Sequence, residues 1–407
     1  MSKKVHVWVE EPVCRAGALT AAIVVEGQGL ARRRVWYRIP AEHGGALTTG
    51  ADPFVLALIF PAMRLRRDLH VHGEVAPALL RNLEEFQAAW RCWRPNRYGR
   101  VEIMADAERE QPACRNDRKA VMLFSGSVDS AFTALRHKAG QCGRRNLELQ
   151  SGLLIHGIDV PLARREAFVR AAQKTRHMLE SLGMRFIPMA SNAGALGGAW
   201  RDCHGAVQAS CLMLLQRGFA VGVIPGAEPY SALALPRGSN PVTDWMLSNG
   251  VFSIVHDGAG LTRTEKVRTI ADWPEALRYL RVCKEGVPER PDANCGACER
   301  CLRTMLGFKA LGMAVPGCFE KDVTEEQIAG LDGLDARGLA ELAEILATAK
   351  SQRLSGSWVR ALETCLRRNR MRGRLRRIMR WIDRHLAVSG AKPQGSAWAR
   401  SGAADML

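Results

Sequence analysis

Two groups of residues in this chain have the types and spacing to do chemistry. The first is Ser125-Gly126-Ser127-Val128-Asp129-Ser130, which follows the apolar run Ala120–Phe124 and leads into a helical pattern. A strand, a small hydroxyl-rich turn and a helix start bring free backbone N–H groups and the positive end of a helix dipole to one point, where an anionic phosphate is held. Ser125, Ser127 and Ser130 add hydroxyl donors, and Gly126 lets the backbone approach closely. Ser127 or Asp129 also suits an ordinary N-cap, so these six residues alone leave a plain turn and a phosphate site both open. The second group is Cys283, Cys295, Cys298 and Cys301. Four soft thiolates satisfy a tetrahedral ion, and two successive Cys-x2-Cys turns point three sulfurs inward, with Gly296 suited to the tight turn. Such a closed shell leaves no position for water, so the expected ion is structural. Zinc is expected, with an iron–sulfur cluster as the rival.

These groups need a frame. From Lys119 the pattern alternates apolar strands with amphipathic helices: strands at 120–124, 152–156, 185–188, 220–224 and 252–255, helices at 130–137, 164–182 and 204–217. That rhythm predicts an α/β fold with a parallel sheet covered on both faces, and ligands bind beyond the carboxyl ends of such strands. Before it, β-like runs at 4–11, 21–25, 35–39 and 101–104 and helices at 54–63 and 79–90 predict an N-terminal α+β accessory domain over 1–115, joined by a polar stretch at 107–118. The α/β domain is expected over 116–315, including the cysteine module at 283–301. A helical basic region would follow over 316–390, helix-compatible from Thr324 to Lys350, and a loosely ordered tail over 391–407.

Further polar residues fall on the same sheet edge. The second strand ends in His156-Gly157-Ile158-Asp159; Asp159 could hold a ribose, metal or substrate, or simply form the turn before Pro161. The loop after the fourth strand offers Glu228, Tyr230, Arg237, Asn240 and Asp244, more recognition chemistry than a spacer needs, although a solvated crossover stays open. His204, near the start of its helix, is either a substrate contact or a capping residue. Thr262 and Glu265 match a capping box and need no functional reading.

At 407 residues the chain has room for two or three domains, and its 47% hydrophobic content is ample for their cores. No apolar run is long enough for a membrane span, and Met1-Ser-Lys-Lys leads into alternation, so a cytoplasmic protein is expected. The net charge of +17 calls for an anionic partner. Between Ser351 and Leu386 eleven arginines stand against Glu363 and Asp383, about half of that excess. Leu375, Ile378, Met379, Ile382 and Leu386 form an apolar helix face there, with Arg374, Arg376, Arg377, Arg380 and Arg384 around it. Such a helix suits RNA, anionic lipid or an acidic protein, or a docked helix with a solvated basic face.

Ser125-Gly-Ser-Val-Asp-Ser130 resembles the Ser-Gly-Gly-x-Asp-Ser signature of the PP-loop ATP pyrophosphatases, with Ser127 where that family usually has its second glycine. Together with the four cysteines, it makes Lys119–Gly312, about half the chain, similar to the 7-cyano-7-deazaguanine synthases. The two flanking regions lie outside that enzyme and look more like the synthase-like proteins of bacterial anti-phage defence operons. The resemblance implies a PP-loop (HUP-like) fold in which Ser125, Gly126, Ser127, Asp129 and Ser130 bind the phosphates of ATP and Ile155, His156 and Gly157 lie at the adenine. It implies that Lys266 serves the phosphates, with Arg263 able to do likewise, so that Asp129, Lys266 and Arg263 are the catalytic candidates, and that Glu228, Arg237, Asn240, Asp244 and His204 surround the substrate.

The implied reaction is ATP- and Mg2+-dependent adenylation of a 7-carboxy-7-deazaguanine-like acid, with pyrophosphate released and an amide or nitrile formed. The amine would be ammonia or, in a conjugating variant, a protein or nucleic acid partner. Two rivals stay open: a tRNA-modifying enzyme using the basic C-terminal region, with Cys203 or Cys211 as sulfur carrier, and a non-catalytic nucleotide-binding scaffold.

Overall fold

The computed structural model describes residues 4–388 apart from 115, 197, 284, 285, 288, 289 and 291; along the last helix, side chains are described through residue 379 except those of 374, 376 and 377. The expected tail over 391–407 lies outside the described residues, as do the side chains of Ile382, Leu386, Arg374, Arg376, Arg377, Arg380 and Arg384.

In chain order the strands are β1 (Val5–Arg15), β2 (Ala18–Gly27), β3 (Leu30–Pro40), β4 (Leu69–Val75), β5 (Ile103–Glu108), β6 (Lys119–Leu123), β7 (Glu148–His156), β8 (Arg185–Ser191), β9 (Val221–Pro225) and β10 (Ser253–Asp257). The helices are α1 (Asp52–Leu65), α2 (Pro77–Trp93), α3 (Val128–Lys138), α4 (Arg165–Ser181), α5 (Trp200–Met213), α6 (Arg263–Ile270), α7 (Pro274–Tyr279), α8 (Glu299–Ala310), α9 (Glu325–Gly330), α10 (Ala336–Ser351) and α11 (Ser357–Val388). The expected helix over Thr324–Lys350 is two helices, because Asp332 and Gly333 interrupt it with a turn in which Gly333 takes a φ of 65°. Strand β4 was not expected: its short Leu-His-Val-His alternation is a half-buried strand pattern in which histidine takes the polar places.

All ten strands form one sheet, in the order β10-β9-β6-β7-β8-β3-β2-β1-β4-β5. From β10 to β8 every pairing is parallel. The chain begins this half at β6, moves outward through β7 and β8, then returns to place β9 on the other side of β6. The crevice beyond the ends of β6 and β9 is therefore a topological switch point, where open α/β sheets take their ligands.

The first 115 residues continue this sheet. Strand β3 pairs antiparallel with β8 through Tyr37↔Ser191 and Arg38↔Ala190, and polar bonds reinforce the seam. Tyr37 and Ser210 share a buried hydrogen bond of 2.9 Å, and the Asp202 carboxylate accepts from Arg97 and Tyr98, each at 2.9 Å. One apolar core runs under both halves, uniting Val5, Val7, Ile23 and Leu56 with Val121, Leu123, Cys211 and Phe252. The alternate residues of β6, Ala120 and Met122, face a second core with α3, α4, α6, α8 and α10. This period-two division is what a strand buried on both faces requires. Among the described residues none before Cys114 enters the second core, so the opposite face of β1, β4 and β5 carries no helical layer from it. Among the described residues no helix is long and apolar enough to cross a membrane.

Candidate anion pocket and four-cysteine centre

Between β6 and α3 the chain forms a tight loop in which Gly126 has a φ of 75°, a conformation costly for any other residue. Ser127 is the N-cap of α3, its side chain accepting from the Ser130 N–H. Ser125 Oγ donates to Ser127 Oγ at 3.1 Å, the Ser127 and Ser130 hydroxyls lie 3.3 Å apart, and Ser130 Oγ donates to the Ser127 carbonyl at 3.0 Å. The hydroxyls thus converge at a helix N-terminus, and capping and anion binding are compatible roles for the same three residues.

Asp129, in the first turn of α3, is held by two cations from α6. Lys266 Nζ donates to its Oδ1 at 3.1 Å and also to the Gly226 carbonyl at 2.5 Å, while Arg263 lies 3.4 Å from Oδ2. Burial alone would raise the Asp129 pKa; the charges of Lys266 and Arg263 outweigh it and hold the carboxyl below its ordinary range. The predicted capping box is present: Thr262 Oγ1 accepts from the Glu265 N–H at 3.3 Å and the Glu265 carboxylate accepts from the Thr262 N–H at 2.7 Å. It fixes the start of α6 and so aims Arg263 and Lys266 at Asp129.

The cavity over this loop has a volume of about 230 Å³ and opens into an adjoining one of about 490 Å³. Ser125, Ser127, Asp129, Ser130, Ile155 and Asp159 line the inner part, with His204, Gln208 and Ser239. Five arginines complete it: Arg237, Arg263, Arg300, Arg303 and Arg337. The outer part adds Arg201 and Arg281. Glu341 answers two of the five, accepting from Arg303 at 2.7 Å; it stands 3.0 Å from Arg263 Nε, within ion-pair reach but off the line of a hydrogen bond. Glu228 answers two more, at 2.7 Å from Arg237 and 3.5 Å from Arg337. Among the described residues no carboxylate pairs with Arg300. Burial, then the neighbouring charges of Arg263, Arg337 and Arg303, pull its pKa down, as burial also does for Arg237. A cation crowded by others and facing no carboxylate marks a place for an anion.

The other sequence-predicted residues divide. Ile155 lines the cavity, but His156 turns away, stacking on Phe168 at 4.6 Å with Nε2 3.0 Å from the Pro161 carbonyl. Gly157 is there for its backbone: its φ is 104°, and a Cβ would stand 1.9 Å from the Ser191 carbonyl oxygen. Asp159 lines the cavity and its Oδ2 also accepts the Ile155 N–H at 3.0 Å, so turn formation and cavity placement coexist. Arg237 and His204 reach the cavity, and Glu228 stands behind Arg237 and Arg337. Asn240 and Asp244 are spent inside their own loop. Asn240 donates to the Arg237 carbonyl and Thr243 Oγ1 and accepts from the Val242 and Thr243 N–H groups. Asp244 accepts from Ser239 Oγ and the Asn240 N–H and pairs with His256 Nδ1 at 2.8 Å. They shape the loop that presents Arg237. Cys203 and Cys211 are buried, and burial pushes the Cys203 thiol up to about 11 and Cys211 higher still, which disfavours the thiolate that sulfur transfer needs.

The four cysteines come together. Sulfur separations are 3.4 Å for Cys283–Cys295, 3.7 Å for Cys283–Cys298, 3.9 Å for Cys295–Cys301 and 3.5 Å for Cys298–Cys301. A tetrahedral zinc ion with ordinary zinc–sulfur bonds requires an edge of about 3.8 Å. Gly296 has a φ of 68°, as the turn between ligands demands. Backbone N–H groups of Gly286 and Cys298 donate to the sulfurs of Cys283 and Cys295, at 3.2 and 3.3 Å, which supports thiolate character. Asn294 clamps the segment, accepting from the Val282 and Cys283 N–H groups and donating to the Leu280 and Cys318 carbonyls. The group is arranged to hold a metal ion such as zinc.

Sequence reasoning missed much of the cavity wall, Arg281, Arg300, Arg303 and Arg337, and Glu341 that stands behind it. Arg300 and Arg303 were within reach, since residues placed between and just after metal-binding cysteines are fixed as firmly as the ligands. Arg337 and Glu341 come from α10, in the region expected to stand apart as a basic extension. Of that region's predicted apolar face, Leu375, Ile378 and Met379 are exposed on α11. Compared with known proteins, this chain matches no family model, no curated protein and no solved structure.

Proposed function

We propose that the chain is an ATP-dependent activating enzyme of the PP-loop type, acting on a carboxylate of the 7-carboxy-7-deazaguanine class. The observation that carries this reading is the union of the hydroxyl-lined helix start at Ser125–Ser130 with the unneutralised Arg300 and its neighbours around one cavity. This donor set suits a polyphosphate: backbone and hydroxyl donors at one end, planar guanidinium forks at the other. Ile155 and Asp159 border the same space and would take the nucleoside side.

In the proposed reaction a carboxylate oxygen attacks the α-phosphorus of ATP, the bond to the bridging oxygen breaks and pyrophosphate leaves. An amine nitrogen then attacks the acyl carbon and AMP departs, giving the amide. Magnesium, carried in with the nucleotide, would supply charge neutralisation on the phosphates. Lys266 and Arg263, held beside the loop by Asp129, would turn to the departing pyrophosphate, whose charge grows as the bond breaks. The amine is ammonia or a partner's amino group. The buried Cys203 and Cys211 weigh against the sulfur-transfer alternative.

The test is acid-dependent pyrophosphate release, followed by mass spectrometry of mixtures containing ATP, the carboxy-deazaguanine and candidate amines. Wild-type protein should release pyrophosphate and form an amide or nitrile, and Asp129→Ala should lose both. ATP binding without acid-dependent pyrophosphate release would defeat the proposal in favour of a nucleotide-binding scaffold. Efficient free nitrile formation without a partner would remove the motive for conjugation.

A further inference from the structure

A second cluster of ligating side chains lies far along the sheet from the cavity, on the opposite half. Strands β1 and β4 run parallel in the register His6↔His70 and Trp8↔His72, and β4 meets β5 with His70↔Met104. Val5, Val7, Leu69 and Val71 point into the core, so by the period-two rule His6, Trp8, His70 and His72 stand together on the other face. One ring nitrogen from each of His6, His70 and His72 lies within 4.8 Å of the others. His6 Nδ1 and His72 Nε2 are 3.0 Å apart, and the His70 and His72 rings stack at 4.4 Å.

Two further contacts complete the arrangement. The Asp106 carboxylate, from β5, stands 3.4 Å from His72 Nδ1 and 3.2 Å from His70 Nε2. A carboxylate on the ring nitrogen opposite the ligating one fixes the tautomer and orientation of metal-binding histidines. The Trp8 ring stacks on His72 at 3.6 Å, which holds that imidazole in place. His6 and Trp8 also border an open groove of about 620 Å³ with Glu26, Gln28 and Arg32.

We propose that His6, His70 and His72 form a binding site for a divalent transition ion, with Zn2+ as the fitting occupant and Asp106 as the orienting carboxylate. Three neutral imidazoles suit zinc, and bonds of ordinary zinc–nitrogen length at tetrahedral angles place the nitrogens about 3.4 Å apart. The observed spacings need only small ring rotations to reach that. Three nitrogen ligands leave a coordination position toward the solvent side, so this ion, unlike one in the closed cysteine shell, exchanges readily and can take an external ligand. The groove beside it is where such a ligand would lie. The site owes nothing to the nucleotide reaction and stands or falls independently of it.

The experiment uses the full chain with its cysteine centre filled. After dialysis against a chelator that strips exposed ions, Zn2+ is titrated back and counted by calorimetry and elemental analysis. One further equivalent should bind to wild-type protein and none to His6→Gln/His72→Gln. Asp106→Asn should bind it roughly 10–100-fold more weakly. Ni2+ titration should quench a tryptophan component at one equivalent, a component absent in Trp8→Phe. The histidines are on an open face, so the variants should melt as wild type does without added metal. The proposal is overturned if a several-fold excess of Zn2+ adds no equivalent, if the double variant still binds it, or if Ni2+ leaves Trp8 unquenched.

Discussion

Replacing Lys266 with methionine isolates the charge contact on which the Ser125–Ser130 loop leans. The Lys266 side chain is 1% exposed and that of Asp129 13%, so both charges are largely removed from water. Breaking one partner of a buried pair costs about 3–5 kcal/mol, because the other charge is left uncompensated. Here Arg263 remains 3.4 Å from Asp129 and the cavity admits solvent, which argues for the lower end. Methionine keeps the stem that packs near Phe132, so little apolar contact is lost. The Gly226 carbonyl also loses its donor. The expected loss for Lys266→Met is about 3 kcal/mol, read as a fall in the urea midpoint at constant slope.

Two further measurements make that figure refutable. Asp129→Asn should also destabilise, but the double variant should be less destabilised than the sum by about 1–3 kcal/mol, since neither buried charge is then stranded. The pH dependence has a fixed sign. Wild-type Asp129 has a folded pKa below its unfolded value, so its contribution is present above the ordinary aspartate range and is lost as pH falls through the folded pKa. In Lys266→Met the opposing effect of burial meets one cation fewer and the folded pKa rises. The stability gap between the two proteins must therefore narrow as pH falls through the carboxylate range. Additivity within about 0.5 kcal/mol, or a gap that does not change with pH, would refute the claim that Lys266 acts on Asp129 through charge.

Gly157→Ala should be among the most damaging single-methyl additions, above about 3 kcal/mol, since the new Cβ meets backbone at 1.9 Å in a left-handed conformation; a thermal melt within a few degrees of wild type would contradict this. Asp52, buried beneath the seam, has its pKa pushed up by burial to about 6 against the N–H of Ala76 and the Asn249 amide that stabilise its charge. A raised folded pKa means ionisation costs stability above it, so wild type should gain stability relative to Asp52→Ala as pH falls from 7 to 5, by about 1.3 kcal/mol in denaturant melts. Cys298→Ser, or stripping by a strong chelator, should release the bound metal and weaken binding of inorganic pyrophosphate, measured by calorimetry, because Arg300 and Arg303 share a helix with the ligands. Unchanged pyrophosphate affinity in the metal-free protein would break that link.

The elements that position the site were legible because each has a local cause. An apolar run ending in Ser-Gly-Ser reads as strand and turn, Thr262 and Glu265 read as a helix start, and cysteine spacing reads as a metal shell. What escaped depended on pairings distant in sequence. Nothing in β3 announces that Tyr37 will pair with Ser191, so a polar stretch at 107–118 looked like a linker between separate bodies while β5 already extends to Glu108. Asn240 and Asp244 carry recognition chemistry, yet short polar side chains in a Gly- and Pro-rich loop satisfy nearby backbone first, as these two do. Arg337 reaches the cavity, and Glu341 the arginines that line it, only because α10 folds back over α6 and α8, a docking that no local pattern records.

The four-cysteine group and the arginine-lined cavity are joined through one helix. Cys298 caps α8 and Cys301 lies in its first turn, while Arg300 and Arg303 alternate with them. At 3.6 residues per turn, residues three apart share a face and residues two apart are separated by about 200°, so the sulfurs and the guanidiniums occupy opposite sides. Arg300 stands among Arg263, Arg337 and Arg303, and like charges gathered on one wall repel one another. Glu341 offsets part of that repulsion for Arg303 and Arg263 but does not pair with Arg300. Metal–sulfur bonds at Cys298 and Cys301 would anchor the helix against that repulsion, and the Arg281 N–H, two residues before Cys283, donates to the Gly126 carbonyl at 2.8 Å and ties the same module to the serine loop. A filled four-cysteine centre would thus hold this cationic wall in place, which is a physical reason for a structural ion within reach of the loop.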